Sequence, residues 1–141
     1  MTKISVQSEG FSFYAPSNSV HSDIMFSQAS YTVHLETEVK SCSFTIQPSE
    51  WLRAYTKFLK SESDSFRVHL SLSGEYFAAE RSDDGILLHV FDLNSCSARS
   101  FRVSDEEGRQ LHHAILAQIE SDLKSVCGRD AVLEDAELFA V

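Results

Sequence analysis

Proline and glycine are scarce in this sequence, at two and five residues, and the glycines occur singly at positions 10, 74, 85, 108 and 128. That excludes a collagen-like or Pro/Gly-rich low-complexity chain. It also leaves neither a G-x-G-x-x-G nor a Walker A loop, so the usual phosphate-cradling signal of nucleotide-dependent enzymes is absent. Cysteine is equally sparse. Cys42, Cys96 and Cys127 are widely spaced, form no C-x-x-C pair and are odd in number, which argues against a disulfide framework and for free thiols. No stretch approaches the roughly 18 apolar residues of a membrane span, and the segment from Met1 to Glu9 lacks the apolar run of a signal peptide. A cytoplasmic address with no membrane partner is expected. Positive charge is the last scarcity: 12 basic against 21 acidic residues give a formal charge of −9. A field of that sign repels a phosphate backbone and attracts a basic partner, so nucleic acid is not an expected ligand.

Apolar residues are plentiful, at 43% with ten Phe, four Tyr and one Trp. This is well above the disordered regime, and 141 residues suffice to bury a core. The expectation is one domain over 1–141, with strands in 1–30 and an acidic tail or short docked helix over 129–141. Phe11, Phe13 and Tyr14 before Pro16-Ser17-Asn18-Ser19 read as a short strand and a turn, followed by a second strand near Asp23–Gln28. Tyr31, Val33, Leu35 and Val39 alternate with Thr32, His34, Glu36, Glu38 and Lys40, the period of a half-buried strand. The phase shifts near Lys40-Ser41, at a tight turn or a bulge, before Cys42, Phe44 and Ile46.

Pro48 and Glu50 open a helix whose apolar residues are Trp51, Leu52, Tyr55, Phe58 and Leu59, ending within 61–64. Further strands read over Phe66–Leu72, Glu75–Arg81, Ile86–Leu93 and Ala98–Val103. Asp84-Gly85 in Ser82-Asp83-Asp84-Gly85 suggests a hairpin through its tolerance of positive φ. Ser104 with Glu107 three residues on is a capping box, after which Leu111, Ile115, Ile119, Leu123 and Val126 supply a helical stripe that Gly128 stops. The order strands, helix, strands, helix implies an α+β fold: an antiparallel sheet of about five to seven strands with two main helices. The junctions Phe44-Thr45-Ile46-Gln47-Pro48 and Phe101-Arg102-Val103-Ser104-Asp105 resemble each other, and a duplicated ββα-type unit would explain them; the generality of helix capping explains them as well.

Candidate chemistry thins out on inspection. Of the histidines at 21, 34, 69, 89, 112 and 113, the adjacent pair His112-His113 projects about 100° apart on a helix and chelates poorly, while His34 and His69 could meet across a sheet face. Cys96 near His89 has no local nucleophile signature, and no G-x-S-x-G elbow occurs. No catalytic residue, metal or cofactor is therefore expected. The aromatic residues fall mostly on apolar parities, and the cations that would follow a single strand's backbone are too few. The acids are the surviving signal. Glu36 and Glu38 on a strand's polar side, Asp83 and Asp84 at a hairpin, and Asp105, Glu106 and Glu107 at a helix start are candidate contacts for a basic protein partner, although turn chemistry and helix-end complementarity account for the last two groups locally.

The element order from the Tyr31 strand through the Trp51–Leu59 helix, the Asp84-Gly85 hairpin and the Leu111-rich helix resembles small bacterial immunity-type domains, including the WapI immunity group, over about residues 31–123. That resemblance implies a non-enzymatic cytoplasmic protein that binds a cognate toxin domain, such as a basic nuclease, and occludes its active site. The order is also similar to single-stranded DNA-binding coactivator domains, from which this sequence departs in lacking a basic sheet face. A structural or adaptor module that self-associates, and an enzyme with an unrecognised site, are the other readings left open.

Overall fold

Alternating apolar and polar residues build two antiparallel sheets in this protein, where a single sheet was expected. The computed structural model describes residues 2–14, 25–70, 74–128 and 139–141. In chain order the elements are β1 (Lys3–Tyr14), β2 (Met25–Glu36), β3 (Ser41–Ile46), α1 (Pro48–Leu59), β4 (Ser65–His69), β5 (Glu75–Ser82), β6 (Gly85–Asp92), β7 (Ser97–Val103) and α2 (Asp105–Cys127). The first three strands form one meander, β1-β2-β3, and the last four another, β4-β5-β6-β7. The fold is α+β, with two helices and seven antiparallel strands among the described residues.

At the N-terminal end, β1 and β2 are 12 residues each. The strand read near Asp23–Gln28 and the one from Tyr31 are thus a single element, and the Pro16 turn cluster lies outside the described residues. Register shifts between Ser8 and Gly10 and between Ser12 and Phe13 interrupt the β1–β2 ladder, the first through the extra residue Glu9 in β1 and the second through the extra residue Ser27 in β2. The phase change near Lys40 is a turn, not a bulge. β2 ends at Glu36, Thr37 N–H donates to the Lys40 carbonyl at 2.7 Å, and Glu36 pairs with Ser41. Glu38 and Val39 therefore sit in the turn and not on a strand, and Val39 is 88% exposed.

The two strand-to-helix junctions differ in chemistry despite their similar spelling. Gln47 caps α1 with no side-chain bond, leaving Pro48 in the first turn as the start signal. At α2, the Ser104 hydroxyl accepts from Glu107 N–H at 3.1 Å and the Glu107 carboxylate accepts from Ser104 N–H at 3.0 Å, completing the capping box. The Ser82-Gly85 hairpin stands where expected but by another route. Ser82 pairs with Gly85, so Asp83-Asp84 are the turn, and neither has positive φ. Gly85 is needed for φ +143° and because a Cβ there would run into the Val103 carbonyl.

Both sheets turn their apolar parities inward. Val33, Leu35 and Phe44 from the first sheet and Phe77, Leu88 and Val103 from the second are all at or below 3% exposure, and Phe44 meets Phe77 with ring centroids 5.1 Å apart. Trp51, Tyr55 and Phe58 of α1 stack along one helix face and reach Phe66 and Phe77. Leu111, Ile115, Ile119 and Leu123 of α2 are buried; the Val126 side chain is outside those described. Each such burial stabilises by about 1.5–3 kcal/mol. Tyr55 Oη donates to the Gly108 carbonyl at 2.8 Å, locking α1 to α2. A methyl at position 108 would lie 2.7 Å from Ile86 Cδ1, so this glycine permits the close approach. Of the tail, residues 129–138 lie outside the described residues, while Phe139 is buried and its carbonyl accepts from His112 Nε2 at 2.8 Å.

Candidate functional site

The fold draws most of the candidate acids to one end of the molecule. Because Gly85 packs against Val103 and Ser104, the Asp83-Asp84 turn abuts the start of α2, where Asp105, Glu106 and Glu107 occupy the first turn. Carboxylates are favoured there by the positive helix end. Two guanidinium groups thread the cluster. Arg102 Nη1 reaches Asp84 at 3.1 Å and Arg81 Nη1 reaches Asp105 at 3.5 Å. Arg81 also donates to the Phe58 carbonyl and lies over the Phe58 ring at 4.7 Å, so it ties α1, β5 and α2 together. Asp83 and Glu106 are exposed and have no ion-pair partner among the described residues.

Glu107 is withdrawn from the candidate contacts. One carboxylate oxygen holds Ser104 N–H and the other holds Thr2 N–H at 2.8 Å. Those bonds, the one from Ser104 first, push its pKa down to about 2 against a partial opposing effect of burial. Its work is to cap a helix and fasten the start of β1, which the capping-box spacing alone shows only by half.

Glu36 and Glu38 form a second group at the β2–β3 turn, where with Lys3 and Thr37 they line an open cleft of about 310 Å³. Lys3 pairs with Glu36 across β1–β2 and follows Thr2, the residue bound by Glu107. The second group is therefore linked to the first through β1, with Lys3 set against its carboxylates.

The histidine and thiol candidates go elsewhere. His34 and His69 stand on different sheets and cannot meet across one face; His21 lies outside the described residues. His34 Nδ1 is 2.6 Å from Ser43 Oγ, with Glu36 3.8 Å from the other nitrogen. His89 repeats the pattern, with Nδ1 at 2.8 Å from Ser100 Oγ and Nε2 at 3.4 Å from Glu80. The order Ser100, His89, Glu80 is that of nucleophile, base and orienting acid. It stands on an open sheet face with Glu80 54% exposed. Cys96 is exposed in the β6–β7 turn, its thiol directed at the Leu93 carbonyl and not at His89. Cys42 is buried, and burial pushes its thiol pKa up. Burial holds His112 below its ordinary pKa; its bond to a carbonyl makes Nε2 the protonated nitrogen of a neutral ring, and Nδ1 is left without a partner. Among the described residues no group of three or more His, Cys, Asp or Glu is placed to hold a metal ion, and no helix is long and apolar enough to cross a membrane.

Parity counting missed one feature. Tyr76 and Phe91 lie on the outward side of the second sheet, stacked with centroids 4.7 Å apart. Arg67 sits 5.0 Å above the Tyr76 ring, His69 meets Tyr76 edge-on and His89 flanks Phe91. The signal was available, since Tyr76 precedes the buried Phe77 and so points the other way.

Compared with protein-family models, with curated proteins and with solved structures, the chain matches none.

Proposed function

We propose that this chain is a non-catalytic binding protein that receives a basic protein partner at its acidic end and blocks it by occlusion, in the manner of an immunity or inhibitor protein acting on a toxin domain such as a nuclease. The observation that carries the reading is the convergence of the Asp83-Asp84 turn with Asp105 and Glu106, which sets the carboxylates of Asp83 and Glu106, exposed and without an ion-pair partner among the described residues, beside those of Asp84 and Asp105. Glu36 and Glu38 extend the same field. Exposed charges of one sign speed the encounter with a partner of the other sign and select against like-charged ones. On this reading the protein acts in the cytoplasm and needs neither metal nor cofactor.

The test is co-expression with the toxic product of a neighbouring reading frame, together with purification of the pair. The expected result is protection of the cells and a tight complex that weakens as salt rises. Replacing Asp83, Asp84 and Glu106 together by lysine should slow association at least about ten-fold. Full protection by that triple variant, or no protection by the natural chain against any such product, would overturn the proposal.

A further inference from the structure

Capping rules account for the similar spelling of the two strand-to-helix junctions, but they say nothing about how the strands before them pair. In the first sheet β2 meets β3 through Val33–Phe44, His34–Ser43 and Leu35–Cys42, and in the second β6 meets β7 through Leu88–Phe101, His89–Ser100 and Val90–Arg99. Ser43 precedes Pro48, the first residue of α1, by the same number of positions as Ser100 precedes Asp105, the first residue of α2. The two ladders therefore superpose pair for pair and enter their helices at the same point. Beyond it, Trp51, Tyr55 and Phe58 of α1 fall on Gly108, His112 and Ile115 of α2, and all are buried.

We propose that residues 31–59 and 86–116 are two copies of one strand-strand-helix unit, related by an approximate two-fold axis, and that the outward His–Ser pair is the pin of strand register that both copies keep. Matching inward residues prove little, because a core asks for apolar side chains wherever it forms. The outward pairs discriminate. Thr32–Thr45 of one unit corresponds to Leu87–Arg102 of the other, and Glu36–Ser41 to Phe91–Ala98, with no likeness in either case. Between them the same pair stands twice in the same geometry. Nδ1 of His34 and of His89 lies 2.6 and 2.8 Å from the facing serine hydroxyl, and each Nε2 has a carboxylate nearby, Glu36 at 3.8 Å and Glu80 at 3.4 Å. Burial does not demand such a pair on a parity that is otherwise free to vary.

Its physical use is plain. A slip of one residue would turn every inward side chain of the strand to solvent, and a hydrogen bond between directly opposed outward side chains holds the pairing against that slip. The packing of the helices supplies the axis. Tyr55 and His112, which occupy equivalent positions, meet each other with ring centroids 5.8 Å apart, as equivalent residues beside a two-fold axis do. Each helix also packs against the N-terminal edge strand of the other sheet, α1 against β4 and α2 against β1. The inference does not rest on the proposed function, since neither serine nor histidine belongs to the acidic end.

Two double-mutant cycles on the full chain test it, with the thermal midpoint as readout: His34→Ala with Ser43→Ala, and His89→Ala with Ser100→Ala. In both units the loss in the double variant should fall short of the sum of the two single losses by about 1–3 °C. A third cycle, Leu87→Ala with Arg102→Ala, sits at the outward position where the copies differ and should be additive within about 0.5 °C. Additive losses for the His–Ser pair in either unit would overturn the register pin, as would equal coupling at Leu87–Arg102. The kinship of the units is read from related sequences aligned unit against unit. The spacing from His to the facing Ser and on to the first helical residue should stay matched between the units, and relatives whose two segments align only at some other offset would overturn it.

Discussion

The two sheets offer the same kind of side chain to the core and different kinds to solvent. On the inward side, Val33, Leu35 and Phe44 of one and Phe77, Leu88 and Val103 of the other are interchangeable in character. On the outward side, the described side chains of the first sheet include Lys3, Ser5, Thr32, His34, Glu36, Ser43 and Thr45, with Thr32 and Thr45 facing each other at 3.3 Å. The second shows Arg67, Tyr76, Phe91 and Arg102. Core packing constrains only one parity of a strand. The other parity is free to vary, so the departure from plain polarity on the second sheet is where binding is to be sought. Two cross-strand His–Ser pairs, His34–Ser43 and His89–Ser100, recur on both faces; they are sheet-surface packing common to both and do not distinguish them.

The largest expected effect separates neighbours on one strand. Phe77→Ala removes a ring that touches Phe44, Trp51 and Phe66 and should cost about 3–5 kcal/mol. Tyr76→Ala, one residue away on the outward side, should cost under about 1 kcal/mol. Urea unfolding of the two variants checks it, and similar losses would erase the distinction between inner and outer parities.

The two helix starts give the next contrast. Ser104→Ala breaks a complete capping box and should destabilise by about 1 kcal/mol, whereas Gln47→Ala, with no side-chain bond to lose, should stay within about 0.5 kcal/mol. Thermal midpoints measured side by side decide it.

Titration separates two residues of α2. Glu107 has its folded pKa lowered from 4.5 to about 2, so its contribution is complete above the unfolded value and is lost as pH falls from about 4.5 towards 2. His112 also has a lowered folded pKa, because burial disfavours its charged form; stability therefore falls as pH drops below the ordinary 6.5. The thermal midpoint followed against pH should flatten in the lower window for Glu107→Gln and in the upper one for His112→Gln. Smallest of all, Arg102→Ala loses an exposed pair to Asp84 and should change stability by no more than about 0.5 kcal/mol.

Local signals carried much of this architecture. Ser104 with Glu107, the Leu111-to-Leu123 stripe and the Pro48 start placed both helices, and the alternation from Tyr31 and from Phe66 gave parity. What alternation does not carry is which strands pair. A strand read as half-buried fits one sheet of seven or two of three and four equally well, since that choice depends on contacts between Phe44 and Phe77 far apart in the chain. One inserted residue in β1 and one in β2 hid the length of these strands by breaking the period. The acidic cluster was legible as composition, but the meeting of the Asp83-Asp84 turn with the α2 start depends on Gly85 closing against Val103, and the loss of Glu107 from that cluster depends on Thr2, 105 residues away in sequence.

The proposed role of the acidic end is to receive a cationic protein. Its most direct test is the association rate constant with a co-purifying basic partner, measured by stopped flow from low to high ionic strength for the natural chain and for the Asp83→Lys, Asp84→Lys, Glu106→Lys variant. The claim predicts a fast rate that falls steeply with salt for the natural chain and a slow rate nearly independent of salt for the variant. Equal rates with equal salt dependence would contradict it.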